Sequence, residues 1–133
     1  MPRILALDHG SARCGCAISD PSGTLATPLA AVERPDTKKG LTRLAQLVEQ
    51  QGAERVVVGL PLTLQGVEGD QAAEARAFAQ RLERRLNVAV ELHDERLTTR
   101  QAERTGGSGD EDSRAAAHLL ESYLAIRLDT AGS

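Results

Sequence analysis

The stretch Ile4–Gly10, ILALDHG, runs straight into SARCG and decides how the chain reads. A short apolar run that ends in a carboxylate, with a glycine two residues later, predicts a buried strand that turns just after Asp8. An ionised carboxylate beside apolar neighbours is costly unless a cation or hydrogen-bond donors compensate it. Asp8 therefore calls for partners, and the rest of the sequence offers two more acids.

Outward from this point, Arg3–Leu7, Cys14–Ser19 and Leu25–Val32 read as three strands joined by the Gly, Ser and Pro turns of DHGSAR and DPSG. Such short links make neighbours antiparallel. Between Thr37 and Gln51 the residues Leu41, Leu44, Ala45, Leu47 and Val48 recur at helical spacing, and Gly52 ends the run. Arg55–Gly59, RVVVG, is continuously apolar, as in a strand covered on both faces. The loop LPLTLQGVEG leads to a helix over Asp70–Leu86, and Asn87–Leu92 alternates as a fifth strand. A short helix is predicted from Thr99 to Gly106 and a final one over Asp110–Leu128, leaving 128–133 as a frayed tail. Three hairpin strands followed by two helix–strand crossovers predict one α/β domain over residues 1–133. Its five-stranded mixed sheet carries helices on both faces, the pattern of an RNase H-like fold.

Composition narrows the function. At 133 residues the chain can bury one core without staples. Cys14 and Cys16, two apart in a strand, are poorly placed to bridge each other and read as small core residues of a reducing, cytoplasmic protein. No apolar run approaches the roughly 20 residues of a membrane helix, and no secretory start is seen, so neither export nor a membrane partner is expected. A net charge of −3 argues against a protein that coats nucleic acid, which makes any such contact local. Phe78 and Tyr123 are the aromatics, too few for a base-stacking platform.

Three acids lie at element ends: Asp8, one of Asp94 and Glu95, and one of Asp110, Glu111 and Asp112. Helical periodicity puts Asp112 on the stripe of Ala116, Leu119, Tyr123 and Ile126, and so predicts that it points inward. Asp110 and Glu111 are explained by capping and the helix dipole. Spacing leaves Asp94 and Glu95 open, because they point to opposite sides of an extended chain. Clustered carboxylates suit hard divalent cations, Mg²⁺ or Mn²⁺, and two such ions about 4 Å apart can activate a water and stabilise the leaving oxygen of a phosphodiester. His9, His93 and His118 lack zinc-ligand spacing and read as turn or helix-surface residues.

The motifs LDHGSARCGCAISD, VVGLPL through GVEG, DERLTT and DSRAAAHLLESYL together resemble the YqgF family, also called RuvX, related to the RuvC resolvases. The resemblance spans nearly the whole chain and places the family's catalytic, metal-binding acids on Asp8, Glu95 and Asp112. It implies a nuclease proposed to trim the 5′ end of the 16S rRNA precursor in the bacterial cytoplasm, with RNA as partner. A structured DNA junction is the alternative substrate, since the family's older description as a Holliday junction resolvase follows its likeness to RuvC. Two departures stand out. Ala12 replaces a frequent lysine, and the loop before Asp112 is acidic where relatives tend to be basic; both remove phosphate-binding charge.

Arg96, Arg100 and Arg104 would form a stripe on the short helix beside Glu95; Arg13, Arg96 and Arg100 are the candidate nucleic-acid contacts. Lys38, Lys39 and Arg43, like Arg81, Arg84 and Arg85, read as solvated faces. No dimer seam is visible, so a monomer or weak homodimer is expected, whereas a resolvase would need two-fold symmetry. An actin-like ATPase, suggested by DHG, would need two domains and a longer chain. A non-catalytic ribosome-assembly or transcription-associated binding protein would tolerate loss of any one acid.

Overall fold

The computed structural model describes residues 2–63, 65–95 and 111–132, with side chains of the last helix described over 112–127. The elements are β1 (Ile4–His9), β2 (Arg13–Ser19), β3 (Ala26–Glu33), α1 (Lys38–Gln51), β4 (Arg55–Leu60), α2 (Asp70–Arg85), β5 (Ala89–Asp94) and α3 (Glu111–Gly132). They form one mixed sheet in the order β3-β2-β1-β4-β5. β1 pairs antiparallel with β2, and β2 with β3, through short turns; β1, β4 and β5 run parallel. This is the RNase H-like arrangement.

Strand alternation divides the core in two. Leu5, Leu7, Val56 and Val58 pack with Leu41, Leu44, Phe78 and Leu82 of α1 and α2. Ile4, Ala6 and Val57 point the other way, against Leu119, Leu120, Tyr123 and Leu124 of α3. Val56, Val57 and Val58 are all fully buried, which explains the unbroken apolar run of β4. Full burial of each large aliphatic side chain contributes roughly 1.5–3 kcal/mol. Cys14 and Cys16 are buried and free, as read.

α1 is closed at both ends by local chemistry. Thr37 Oγ1 accepts from the Gly40 amide at 3.0 Å, and Gly52 adopts φ 64° to end the helix. Thr37→Ala should lower stability by about 1 kcal/mol. Urea unfolding measures this, and an unchanged midpoint would assign α1's start to packing alone.

Several boundaries differ from the sequence reading. β5 lies two residues later than Asn87–Leu92, because pairing with β4 continues to Leu60↔Asp94. β3 begins after Leu25, which is 65% exposed. α3 continues to Gly132, past Leu128 where a frayed tail was expected; nothing before Gly132 breaks the helix. His9 and His93 are strand residues with buried rings rather than turn or surface residues. The predicted helix from Thr99 to Gly106, with Arg96, Arg100 and Arg104, lies outside the described residues. No described helix is long and apolar enough to cross a membrane.

Candidate active site at the carboxyl end of the parallel strands

Asp8 is the penultimate residue of β1 and, by alternation with Ile4 and Ala6, faces the α3 side. Its strand neighbours are Gly15 on β2 and, extending the register past Leu7↔Val58, Gly59 on β4. A side chain at either glycine would displace an acid. A Cβ at Gly59 would fall 2.3 Å from Glu95 Oε1. One at Gly15 would fall 1.9 Å from the Asp112 carbonyl oxygen. The sheet therefore has a bare seat on each side of Asp8, one for the Glu95 side chain and one for the first turn of α3.

Glu95, one residue beyond β5, reaches across Gly59 to hydrogen-bond Asp8. This is the member of the Asp94/Glu95 pair that meets Asp8; Asp94 stays in register with Leu60. Burial raises the Asp8 carboxyl above its ordinary range; the Glu95 hydrogen bond opposes this rise and the Asp112 charge adds to it. A hydrogen bond between two carboxyls requires a proton between them, so the acids are close enough to need a cation or to share a proton.

α3 is docked at its start by Ser113, fully buried, whose Oγ accepts from the Cys16 amide at 3.2 Å. Asp112 lies at the border of the buried stripe, its side chain 42% exposed, and ion-pairs with Arg13 at 3.3 Å. The inward direction read from periodicity is only partly met: the Asp112 charge acts on Asp8, but its carboxylate is open to solvent and turned to Arg13. Among the described residues no three His, Cys, Asp or Glu side chains form a ready metal-binding group. Asp8 and Glu95 stand together, with Asp112 turned to Arg13. Their all-oxygen chemistry suits a hard cation and none of the histidines joins them.

Behind Asp8, on the other face, His9 Nε2 lies 2.8 Å from Asp36 Oδ2 and its ring packs on Phe78 at 4.6 Å. At the far end of α3, Tyr123 donates to Glu91 at 2.8 Å and receives Arg55 at 3.3 Å, fixing the helix to β4 and β5. The sequence reading missed Gly15, Gly59 and Ser113 as seats of the acids. Their signal was a small residue inside an otherwise apolar strand, or opposite one.

The sequence profile of the RuvX family, described as Holliday junction resolvase, matches residues 2–126. The chain belongs to the RuvX family. Among curated RuvX relatives, a protein of Desulforudis audaxviator is 40% identical over 94% of this chain and 95% of its own, and one of Chloroflexus aggregans is 45% identical over 93% and 94%. Both carry the name "Putative pre-16S rRNA nuclease". Among solved structures, Thermus thermophilus RuvC in complex with a Holliday junction substrate superposes with a TM-score of 0.68 at 12% identity, covering 98% of each chain. At that identity the likeness establishes the fold that RuvX shares with RuvC.

Gly59→Ala tests the seat of Glu95. The clash falls on the end of a flexible side chain, so stability should change by less than about 1 kcal/mol while any activity that needs Glu95 drops about 100-fold. Thermal melts beside turnover separate the two; full activity would show that Glu95 can reach its place by another rotamer.

Proposed function

We propose that this chain is a divalent-metal-dependent phosphodiester hydrolase, a nuclease that processes the 5′ end of pre-16S rRNA in the bacterial cytoplasm. The observation that carries the reading is the pairing of Asp8 with Glu95 at the carboxyl rim of the sheet, with the first turn of α3 seated beside it and the Asp8 carboxyl raised by burial and by the Asp112 charge. The RNA assignment is supported by the names of the relatives. Asp8, Glu95 and Asp112 are the catalytic residues and would hold two Mg²⁺ or Mn²⁺ ions. When bound, the metal supplies Lewis-acid stabilisation of the phosphate oxygens and a more acidic water.

The chain's own groups do the rest. Gly59 and Gly15 fix where Glu95 and Asp112 stand relative to Asp8. Arg13, 59% exposed, partly neutralises Asp112 and offers a donor to a substrate phosphate. Arg96 and Arg100, outside the described residues, complete the proposed nucleic-acid contacts. The protein acts as a monomer or weak homodimer.

The family's description favours a second substrate, the DNA four-way junction. Purified protein and Asp8→Asn, each with Mg²⁺ or Mn²⁺, are given a single-stranded RNA carrying a 16S leader and a DNA four-way junction. Asp8-dependent cutting of the RNA alone supports rRNA processing. Symmetric cutting of the junction would replace it with resolution, and cutting of neither would support a non-catalytic binder.

A further inference from the structure

The two basic clusters that looked like separate solvated faces meet in the fold. Arg85 donates to Thr42 Oγ1 at 2.5 Å and Arg81 to Asp36 Oδ1 at 3.3 Å, which brings the last turns of α2 against the first turn of α1. Lys38 lies one turn before Thr42 on the same stripe; Lys39 and Arg43 form the adjacent stripe, and Arg84 sits between Arg81 and Arg85. All six cations are exposed in a chain whose net charge is −3. Asp36 stands among them, while Glu83 falls on the far side of α2 by spacing.

Helix energetics do not ask for this arrangement. α1 has no acid in its first turn and opens instead with Lys38 and Lys39, beside the positive end of the helix dipole where cations are disfavoured. Arg34, just before α1, is held at φ 48°, a left-handed conformation in which an arginine is strained and a glycine is not. Its side chain is exposed, and its amide donates to the Ala12 carbonyl at 2.9 Å. The Arg34 backbone is thus tied to the turn that carries Arg13, the partner of Asp112. Asp36 adds a second link, because it holds His9, the neighbour of Asp8.

We propose that Arg34 and the joined ends of α1 and α2 form a basic track that binds the phosphodiester backbone of a nucleic acid as it leaves the acidic site. The proposal rests on the nuclease reading for the strand's path, and on the charge geometry for the surface itself. A flexible polyanion suits cations spread over two helices and a loop, with no aromatic platform and hence little sequence preference.

The test uses two variants in an Asp8→Asn background: Lys38→Gln/Lys39→Gln/Arg43→Gln/Arg84→Gln, and Arg34→Gly. Binding of a long single-stranded RNA and of a tetranucleotide is followed against salt, and tetranucleotide cleavage is measured separately with Asp8 intact. The quadruple variant should bind the long RNA at least about tenfold more weakly, with a salt slope lower by about 2–3 units, and bind the tetranucleotide unchanged. Arg34→Gly should weaken the long RNA in the same sense while its thermal melt holds or rises, which a merely structural arginine would not do. Unchanged slopes in both variants would overturn the track and leave the nuclease reading intact. Track-dependent binding without any Asp8-dependent cleavage would keep the surface and fault the nuclease reading. Competition by polyglutamate as strong as by RNA would overturn the nucleic-acid assignment in favour of an acidic protein partner.

Discussion

Asp8→Asn should lower the proposed phosphodiester cleavage by about 10²–10³-fold and leave the metal-free protein at least as stable as the wild type at pH 7. The first half follows from the place of Asp8 between Glu95 and Asp112, because removing one preorganised charged group from a reacting centre costs about 10²–10³-fold even when the rest remains. The second half follows from linkage. The Asp8 carboxyl is raised in the folded state above its ordinary 3.8, so the folded protein favours its protonated form. Asp8 contributes fully to stability below its unfolded pKa, and that contribution is lost as pH rises through the higher folded value. Asparagine does not ionise, so the variant escapes the loss. Thermal melts in EDTA across the acidic to neutral range should converge at the acid end and separate toward neutrality with the variant equal or higher. A variant much less stable at pH 7 would mean that the ionised carboxylate is held by donors that outweigh its burial.

Gly15→Ala should be the most damaging small substitution in the sheet, at about 2–4 kcal/mol of stability. The added methyl would meet backbone that cannot rotate away: the Asp112 carbonyl oxygen at 1.9 Å, its carbon at 2.3 Å and the Ser113 nitrogen at 2.9 Å. The start of α3 must lift, which breaks the bond from the Cys16 amide to Ser113 and carries Asp112 away from Asp8. Stability and activity therefore fall together, in contrast to Gly59→Ala, where only a side-chain end is displaced. Urea unfolding with and without divalent metal measures the loss, and a change under about 0.5 kcal/mol would show that the helix can shift at little cost.

The sheet was legible because its signals are local: Gly and Pro turns between short apolar runs, an unbroken apolar β4, and helical spacing in α1 and α2. The position of Asp8 at the end of an apolar strand was legible for the same reason, whereas the turn of Asp112 toward Arg13 was not, because it depends on a contact between α3 and β2. The choice of Glu95 over Asp94 was not, since it depends on where β5 stops pairing with β4, and that stop lies two residues beyond the alternating pattern. His9 was misread because it is carried into the core by Phe78 and Asp36, contacts across tens of residues. The joining of Arg81 and Arg85 to α1 is hidden in the same way: separations of 45 and 43 residues leave no periodic trace.

The most direct test of the acidic site is Mn²⁺ binding, followed by titration of the purified protein and of Asp8→Asn, Glu95→Gln and Asp112→Asn. If the three acids act as one unit, the wild type binds Mn²⁺ and each variant binds it at least about tenfold more weakly, with Mg²⁺ competing in the wild type. Mn²⁺ binding that all three variants retain at wild-type strength would contradict the assignment of these acids to a common metal site.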